Sequence, residues 1–214
     1  MTSVLQQLNA DLAGLVTGVQ RSVVQVRDDQ RGGAGAGTIW HPDGLIVTNA
    51  HVARRDHLQV ALSDGRVLPA RLIARDDERD LAALMVEADN LPTIEPGNSA
   101  ALHPGQWVLA VGHPWGITNA ATGGVVIGTG KQIADLPVRT ANQDWVVVDV
   151  LLRPGNSGGP LVDAQGRMVG VNTMINGPEV GVAVAVNAVK EFLRRTLGSD
   201  DAARTPESAS PEFV

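Results

Sequence analysis

Short runs of β-branched and small apolar residues, each ended by a Gly, Pro or Asp-Gly turn, fill the chain from residue 22 to residue 185. Runs of this length and composition between turn signals indicate β-strands. The predicted strands are 22–27, 35–40, 44–49, 57–62, 66–74 and 81–86, then 107–112, 123–133, 144–150, 160–163, 167–174 and 179–185. Because six runs precede a Pro-, Asn- and Gly-rich linker and six follow it, the pattern predicts an all-β fold of two packed six-stranded antiparallel β-barrels.

Helical periodicity is found near the two ends of the chain. In residues 4–19 apolar side chains recur three and four positions apart, which predicts an amphipathic helix capped by Ser3. Asn187 is predicted to cap a second helix that ends near Leu197. The chain then divides into an N-terminal amphipathic helix (1–20), a first β-barrel (21–90), a linker (91–105), a second β-barrel with the C-terminal helix (106–197) and a disordered acidic tail (198–214).

Charge and composition exclude several classes of function. The net charge is −6 at pH 7, and the aromatic residues are four Trp and two Phe. No nucleic-acid partner is expected, since phosphates bind basic patches and unpaired bases stack on aromatic rings. The absence of cysteine excludes disulfide bonds and a thiol nucleophile. The histidines at 41, 57, 103 and 113 lack the spacing of a zinc site, so no metal site is expected.

Location is the least constrained property of the chain. No apolar run approaches the roughly 18 residues that span a membrane. The N-terminus has no basic segment followed by an apolar core, so no secretory signal is visible. The sequence as given therefore predicts a cytoplasmic protein, and a periplasmic or otherwise extracytoplasmic one if a signal has been removed.

Residues 154–160, Pro-Gly-Asn-Ser-Gly-Gly-Pro, interrupt the second set of strands with three glycines, two prolines and one hydroxyl group. Neither a helix nor a central strand can run through such a segment. Glycine permits close approach of the backbone, so free N–H groups could point to a place beside Ser157 where negative charge develops. Taken alone, the heptapeptide fits a reactive serine and a tight surface loop equally well.

His51 and Asp80 are the residues that could activate Ser157. His51 follows an apolar strand, where a histidine is well placed to act as a base, although a lone histidine there is more often structural. Asp80 is the last charge before another apolar strand and could orient an imidazole. The alternative is a solvated carboxylate like its neighbours at 76–78.

The order and placement of these three residues favour the catalytic interpretation. His, Asp, Ser is one of the known orders of the serine-protease triad, the one found in the chymotrypsin-like two-barrel fold. His51 and Asp80 fall in the first set of strands and Ser157 in the second. The three side chains would therefore meet in the cleft between the barrels.

At these residues the sequence resembles the protease domain of the HtrA/DegP (Do-like) family of trypsin-fold serine endopeptidases. The matching segments are Gly33-Ala-Gly-Ala-Gly37, Thr48-Asn-Ala-His-Val52, Asp80-Leu-Ala-Ala-Leu84, Val111-Gly-His-Pro-Trp-Gly116, Gly155-Asn-Ser-Gly-Gly-Pro-Leu161, Gly170-Val-Asn-Thr173 and Gly181-Val-Ala-Val184. The resemblance extends over roughly residues 22–197. It implies the chymotrypsin/trypsin-like form of the two-barrel fold.

The resemblance also implies a role for each residue of the site. Ser157 would be the nucleophile, His51 its general base and later general acid, and Asp80 the carboxylate that fixes the imidazole tautomer. The backbone N–H groups of Gly155 and Ser157 would form the oxyanion hole. Such a site hydrolyses peptide bonds of unfolded or damaged proteins through an acyl-enzyme and needs no metal or cofactor.

A substrate pocket follows from the same resemblance. In the trypsin-like fold the residue six positions before the nucleophile lies at the base of the pocket for the side chain that precedes the scissile bond, which places Leu151 there. The other predicted pocket residues are Leu152, Asn172, Thr173, Met174 and Val182. An apolar base gives a Lys or Arg side chain no partner, and burying an unpaired charge is costly. We therefore expect cleavage after Val, Ile, Ala or Leu.

Two features depart from the family pattern. The family usually carries one or two PDZ domains after the protease, whereas a short helix and a tail follow in this sequence. Arg153 stands where the family commonly has Asn, two positions before the oxyanion glycine, and it places a cation beside the cleft.

The resemblance also predicts an oligomeric state, and the sequence is compatible with one alternative function. Family members commonly form trimers through the N-terminal segment, and the apolar stripe of residues 4–19 implies a homotrimer here. The alternative to an enzyme is a peptide-binding, holdase-like module whose protease cleft is resting or inactive.

Overall fold

The computed structural model describes residues 3–28, 34–54, 57–118, 120–130, 145–176 and 180–198, with the backbone alone for 28, 34 and 174–176. The predicted tail beyond residue 198 and the part of the predicted strand 123–133 beyond residue 130 lie outside these ranges. Within the ranges, neither helix combines the length and the apolar character that a membrane crossing requires.

The first six strands close into a barrel. They are β1 (Val23–Asp28), β2 (Ala34–His41), β3 (Leu45–Thr48), β4 (Leu58–Ala61), β5 (Val67–Asp76) and β6 (Leu81–Val86). The strand order is β1-β2-β3-β6-β5-β4, and β4 pairs back onto β1, with every pair antiparallel. This order places the end of β3 beside the start of β6, with Thr48 opposite Ala82.

Glycine turns close two hairpins of this barrel, as the Asp-Gly signals predict. Gly44 has a φ of +95° and donates its N–H to the His41 carbonyl at 3.2 Å. Gly65 has a φ of +92° and donates to the Leu62 carbonyl at 3.1 Å. A Cβ at Gly44 would lie 2.1 Å from the Val86 carbonyl oxygen, so no larger residue fits there.

The second set of strands also closes into a barrel. They are β7 (Trp107–Gly112), β8 (Ala120–Thr129), β9 (Trp145–Asp149), β10 (Pro160–Asp163), β11 (Met168–Asn176) and β12 (Val180–Ala185). The order is β10-β11-β12-β9-β8-β7, and β7 pairs back onto β10. The predicted fold class, two six-stranded antiparallel barrels with an N-terminal and a C-terminal helix, is confirmed.

One apolar cluster joins both barrels and the C-terminal helix. Val47 and Ala83 come from the first barrel, Val111 and Val171 from the second, and Phe192 from the helix. All five are fully buried. Burial of a side chain the size of Phe contributes about 1.5–3 kcal/mol. The two walls of the cleft between the barrels are therefore held by shared packing.

The N-terminal helix, α1 (Val4–Gln20), begins as predicted. The Ser3 hydroxyl accepts the N–H of Gln6, and the Gln6 side chain accepts the N–H of Ser3, which completes a capping box. In its second half, Leu12, Leu15, Val16 and Val19 pack against the core. In its first half, Val4, Leu5 and Leu8 remain 85, 71 and 50 % exposed. The apolar stripe thus continues beyond the surface that this chain covers.

The C-terminal helix, α2 (Val186–Leu197), starts two residues earlier than the sequence predicts. Ala185 is the N-cap and Asn187 lies inside the first turn. The backbone N–H of Asn187 donates to the Ser99 hydroxyl at 3.2 Å, and its side-chain amide donates to Asn98 Oδ1 at 3.0 Å. The prediction that Asn187 caps the helix is therefore wrong. The Ser99 hydroxyl of the linker accepts an N–H of the first turn, which a capping side chain would otherwise accept.

Candidate active site

His51 and Asp80 are brought together by the paired ends of β3 and β6. His51 follows the end of β3 by three residues, and Asp80 directly precedes β6. Nδ1 of His51 lies 2.8 Å from Oδ2 and 3.0 Å from Oδ1 of Asp80. The backbone N–H of His51 also donates to Oδ1 at 2.9 Å. The carboxylate is thus aligned with both the ring and the backbone of the histidine.

Asp80 adopts a left-handed backbone conformation. Its φ is +52°, a region that residues other than glycine rarely enter, although aspartate tolerates it better than most. Its carbonyl accepts a hydrogen bond from Asn49 Nδ2 at 2.9 Å, and the Thr173 hydroxyl donates a hydrogen bond to Oδ2. A backbone held this way by surrounding contacts is common at functional sites.

The surroundings of Asp80 favour its ionised form. Burial is the largest influence and raises its pKa, but the hydrogen bonds from His51 and Thr173 and the charge interaction with His51 together hold the pKa below the ordinary value of 3.8. The side chain of Asp80 is 18 % exposed and that of His51 is 34 % exposed. A shielded carboxylate at Nδ1 leaves Nε2 of the ring as the nitrogen that accepts a proton.

Ser157 lies in the connection between β9 and β10, within residues 154–160, which we call the serine loop. Its hydroxyl donates to the Thr173 carbonyl at 3.0 Å, and its own carbonyl accepts the N–H of Ala36 at 2.7 Å. Gly158 has a φ of +87°, and a Cβ there would lie 2.0 Å from the Ala36 carbonyl oxygen and 2.2 Å from Thr48 Oγ1. The glycines therefore let the serine loop of the second barrel approach the backbone of the first.

Gly155 gives the serine loop its shape next to Ser157. Its φ is +104°, and a Cβ would lie 2.2 Å from the His113 carbonyl oxygen. Within the described ranges, the backbone N–H groups of Gly155 and Ser157 donate to no acceptor. Two unpaired N–H groups beside a serine are the donors that an oxyanion requires.

Thr173 connects Ser157 to Asp80. Its carbonyl accepts the Ser157 hydroxyl, and its own hydroxyl donates to the Asp80 carboxylate. The sequence predicts Thr173 as a pocket wall and misses this second contact. Thr173 lies at an irregularity in the pairing of β11 with β12, between Asn172 and Met174, which the sequence does not predict.

The other predicted pocket residues differ in how far their side chains are exposed. Leu151 is 44 % exposed ahead of the serine loop, whereas Leu152 and Val182 are buried in the core and present no surface to a ligand. Asn172 is also buried, and its side-chain amide donates to a backbone carbonyl of the serine loop at 2.9 Å. The side chain of Met174 lies outside the described part of the chain.

Arg153 directly precedes the serine loop. Its guanidinium lies over the Trp115 ring, 5.0 Å from the centroid, and Trp115 is itself 67 % exposed. The N–H of Trp115 donates to the Pro154 carbonyl at 3.0 Å. A cation–π contact at an exposed site is worth about 0.5–1 kcal/mol, enough to bias where the cation lies.

A cleft of about 530 Å³ opens beside the His51–Asp80 pair. It is lined by His51, Arg54, Arg75, Asp77, Asp80 and Thr173. Arg75 is bound to Asp77 at 2.6 Å, so one of the two cations in the cleft is already neutralised. The cleft is large enough for side chains of an extended peptide.

Comparison with known families agrees with this geometry. The model of the trypsin-like peptidase domain matches residues 35–171, a range that contains His51, Asp80 and Ser157. The chain therefore belongs to the trypsin-like peptidase family.

Three similar proteins are named as serine proteases. The putative serine protease HhoB of Synechocystis sp. is 38 % identical over 160 residues, which are 74 % of this chain and 38 % of that protein. The mitochondrial serine protease HTRA2 of Drosophila willistoni is 39 % identical over 164 residues, 75 % of this chain and 38 % of that protein. A probable periplasmic serine endoprotease DegP-like of Halomonas elongata is 39 % identical over 166 residues, 76 % and 34 % of the two chains. The chain thus spans little more than a third of the length of these relatives.

Solved structures give the same assignment. The HtrA-type protease AlgW with tripeptide superposes with a TM-score of 0.79 at 32 % identity, covering 88 % of this chain and 64 % of that one. The same protease with decapeptide gives 0.75 at 29 % identity, covering 85 % and 66 %. Within the trypsin-like peptidase family, the chain is thus similar in sequence and in structure to HtrA-type serine proteases.

Proposed function

We propose that the chain cleaves unfolded or damaged polypeptides through Ser157 as nucleophile, His51 as general base and acid, and Asp80 as the carboxylate partner of His51. The observation that carries the proposal is the continuous set of contacts that runs from His51 through Asp80 and Thr173 to Ser157. The serine-protease relatives support an enzyme and do not favour the alternative of a holdase-like module.

Acylation begins when Ser157 Oγ attacks the peptide carbonyl carbon. The hydroxyl turns from the Thr173 carbonyl toward His51, whose Nε2 takes its proton. The carbonyl electron pair moves onto the oxygen, which the N–H groups of Gly155 and Ser157 stabilise. The C–N bond then breaks as His51 gives the proton to the leaving amine, and the acyl group stays on Oγ.

Deacylation uses water in the place of the departed amine. His51 takes a proton from the water as its oxygen attacks the acyl carbon, and the second tetrahedral species collapses with return of the proton to Ser157 Oγ. Asp80 stays ionised throughout and stabilises the imidazolium that forms twice in each cycle. The balance is hydrolysis of one peptide bond.

The substrate preference that we propose rests on Leu151. An exposed leucine ahead of the serine loop offers apolar contact to the side chain that precedes the scissile bond. One methylene that fits such a pocket is worth about 1–3 kcal/mol, so preference within the apolar set is broad. Cleavage after Val, Ile, Ala or Leu is expected, and cleavage after Lys or Arg is disfavoured because the charge would lack a partner.

Digestion of denatured casein, with mass spectrometry of the peptides, tests nucleophile and preference together. Most cuts are expected after Val, Ile, Ala or Leu. Ser157→Ala is expected to lower the rate by about 10⁴–10⁶-fold with an unchanged circular dichroism spectrum, because triad members act as a unit. Ser63→Ala is the matched control, since the Ser63 hydroxyl only donates to the Arg21 carbonyl on the surface.

Either half of this proposal can be overturned separately. If Ser157→Ala kept more than about a tenth of the parental rate, where triad loss leaves far less, Ser157 would not be the nucleophile. If most cuts followed Lys or Arg, Leu151 would not be the base of the pocket.

A further inference from the structure

We propose that α2 positions the catalytic carboxylate, through ion pairs that connect Arg195 and Glu191 of the helix to Asp76 and Arg79 of the turn that carries Asp80. The inference rests on the proposed role of Asp80 in proteolysis. It assigns a positioning role to residues that touch neither substrate nor the reacting atoms.

The turn between β5 and β6 is closed by Asp76. Its Oδ1 accepts the backbone N–H of Arg79 at 3.0 Å, and Asp80 follows as the last residue before β6. The side chain of Asp76 is 11 % exposed, which makes it the more shielded of the acidic neighbours, because Asp77 is 73 % exposed. Asp76 is therefore part of the internal structure of the turn.

Two residues of α2 bind this turn from outside. Arg195 donates to Oδ2 of Asp76 at 2.8 Å, and Glu191 accepts from Arg79 at 3.3 Å. Arg79 also lies 3.5 Å from Oδ2 of Asp76, so the four side chains form one alternating network of charges. Residues 191 and 195 are four apart and share a helix face, while Phe192 and Val189 anchor α2 in the core.

The network bears on the proposed catalysis because the backbone of Asp80 must be held in its left-handed conformation. Its left-handed φ is unfavourable for a non-glycine residue and persists where surrounding contacts fix it. Removing the charge of Asp76 would leave two arginines without their shared partner and allow the turn to relax. A displacement of the Asp80 carboxylate would weaken its bond to Nδ1 of His51, and small misplacements of catalytic groups are costly in rate.

Steady-state kinetics of Asp76→Asn as a function of pH is the test. We expect kcat to fall by about 10- to 100-fold, with KM within about twofold of the parent. The acid limb of the kcat/KM profile should move to lower pH, because an imidazolium without a well-placed carboxylate is less stable. The charged groups that face His51, namely Asp80, Arg54, Arg75 and Asp77, are the same in parent and variant.

Asp163→Asn is the matched control. Asp163 is 12 % exposed, closes the turn between β10 and β11, and binds Arg167 at 2.8 Å, so it resembles Asp76 in burial and in pairing but lies in the other barrel. Its loss should lower Tm by a similar amount while kcat and the acid limb stay as in the parent. If Asp76→Asn behaved like Asp163→Asn, the ion pairs of α2 would only stabilise the fold and the inference would be wrong.

Arg195→Gln decides the matter if Asp76→Asn does not fold. Arg195 is 57 % exposed, and without it Asp76 still has the backbone N–H and the guanidinium of Arg79 as partners. The substitution should change kcat and the acid limb in the same direction by a smaller factor, and the double variant should lose no more than Asp76→Asn alone. Unchanged kinetics in Arg195→Gln would overturn the inference. A parent that cleaved no peptide would instead contradict the proposed function.

Discussion

The carboxylate of Asp80 accepts hydrogen bonds from the backbone and ring of His51 and from the Thr173 hydroxyl. The backbone carbonyl of Asp80 accepts a hydrogen bond from the side-chain amide of Asn49. Because the donors to the carboxylate favour its charged form, the pKa of Asp80 lies below 3.8. The stability that ionised Asp80 contributes is fully present above that value and is lost as pH falls through the lowered pKa. The residue thus serves the fold and the proposed chemistry through the same contacts.

Asp80→Asn is predicted to lower kcat by about 10⁴-fold, since an amide beside Nδ1 favours the tautomer whose proton lies on Nε2. The rate of casein cleavage at pH 7.5 measures the effect. Asp64→Asn serves as the control, because Asp64 only fixes an exposed hairpin turn with Arg66. Equal losses in the two variants would remove Asp80 from its proposed role.

At the scale of elements, the segment after β7 supports the serine loop. His113 donates its backbone N–H to the Gly155 carbonyl at 3.0 Å, and its ring is buried. Burial lowers the pKa of His113 below 6.5, and the nearby charge of Arg27 acts in the same direction, whereas a hydrogen bond with the Val24 backbone opposes the shift. The folded protein therefore favours the neutral ring.

A pH-dependent loss of stability follows from His113. In the unfolded chain the His113 ring takes up a proton near pH 6.5, whereas in the folded chain it does so only at lower pH. The contribution of the neutral ring to stability is therefore complete above about pH 6.5 and declines as the pH falls below it. Urea unfolding at pH 5.0 and 7.5 measures the difference. His113→Asn should reduce the decline and His103→Asn, at an exposed position, should not. An unchanged decline in His113→Asn would show that this ring does not titrate with unfolding.

The strands could be predicted because their signals are local. Leu81–Val86, Trp107–Gly112 and Pro160–Asp163 begin and end where their apolar runs meet polar or turn residues. The start of α2 could not be predicted, because the oxygen that receives the N–H of Asn187 belongs to Ser99, a residue distant in sequence. Capping by a distant side chain leaves no local pattern.

In the candidate site too, some features could be predicted from the sequence and others could not. The three residues of the proposed triad stand out in the sequence through their order and their neighbouring motifs. The difference between Asp76 and Asp77 is not visible in the sequence, where both are acidic neighbours of Asp80. It arises because Arg195 of α2 binds Asp76, whereas Asp77 remains exposed. Burial of Val182 likewise depends on which face of β12 the barrel closes upon.

At the scale of the whole molecule, the exposed first half of α1 supports the proposed homotrimer. Leu5 and Leu8 are 71 and 50 % exposed on a stripe whose continuation, at Leu12, Leu15 and Val16, packs against the core. An apolar patch of this kind is a common feature of association surfaces. Deleting all of residues 1–19 would also uncover core residues, so substitution is the cleaner test.

Leu5→Glu combined with Leu8→Glu is predicted to convert an assembly into monomers without loss of fold, because charges cannot be buried unpaired between copies. Light scattering measures the mass, and Asn9→Glu, at an exposed position of α1, is the control. A parent of monomer mass, or an assembly that survives both substitutions, would contradict association through this stripe.

Labelling with a fluorophosphonate probe tests whether Ser157 is an activated nucleophile. The probe forms a covalent bond only to a serine that is activated by a base and faces oxyanion donors. One label is expected per folded chain, at Ser157 by mass spectrometry of the peptides, and none in Ser157→Ala or in urea. A folded chain that stays unlabelled, or that is labelled at another serine, would contradict this role of Ser157.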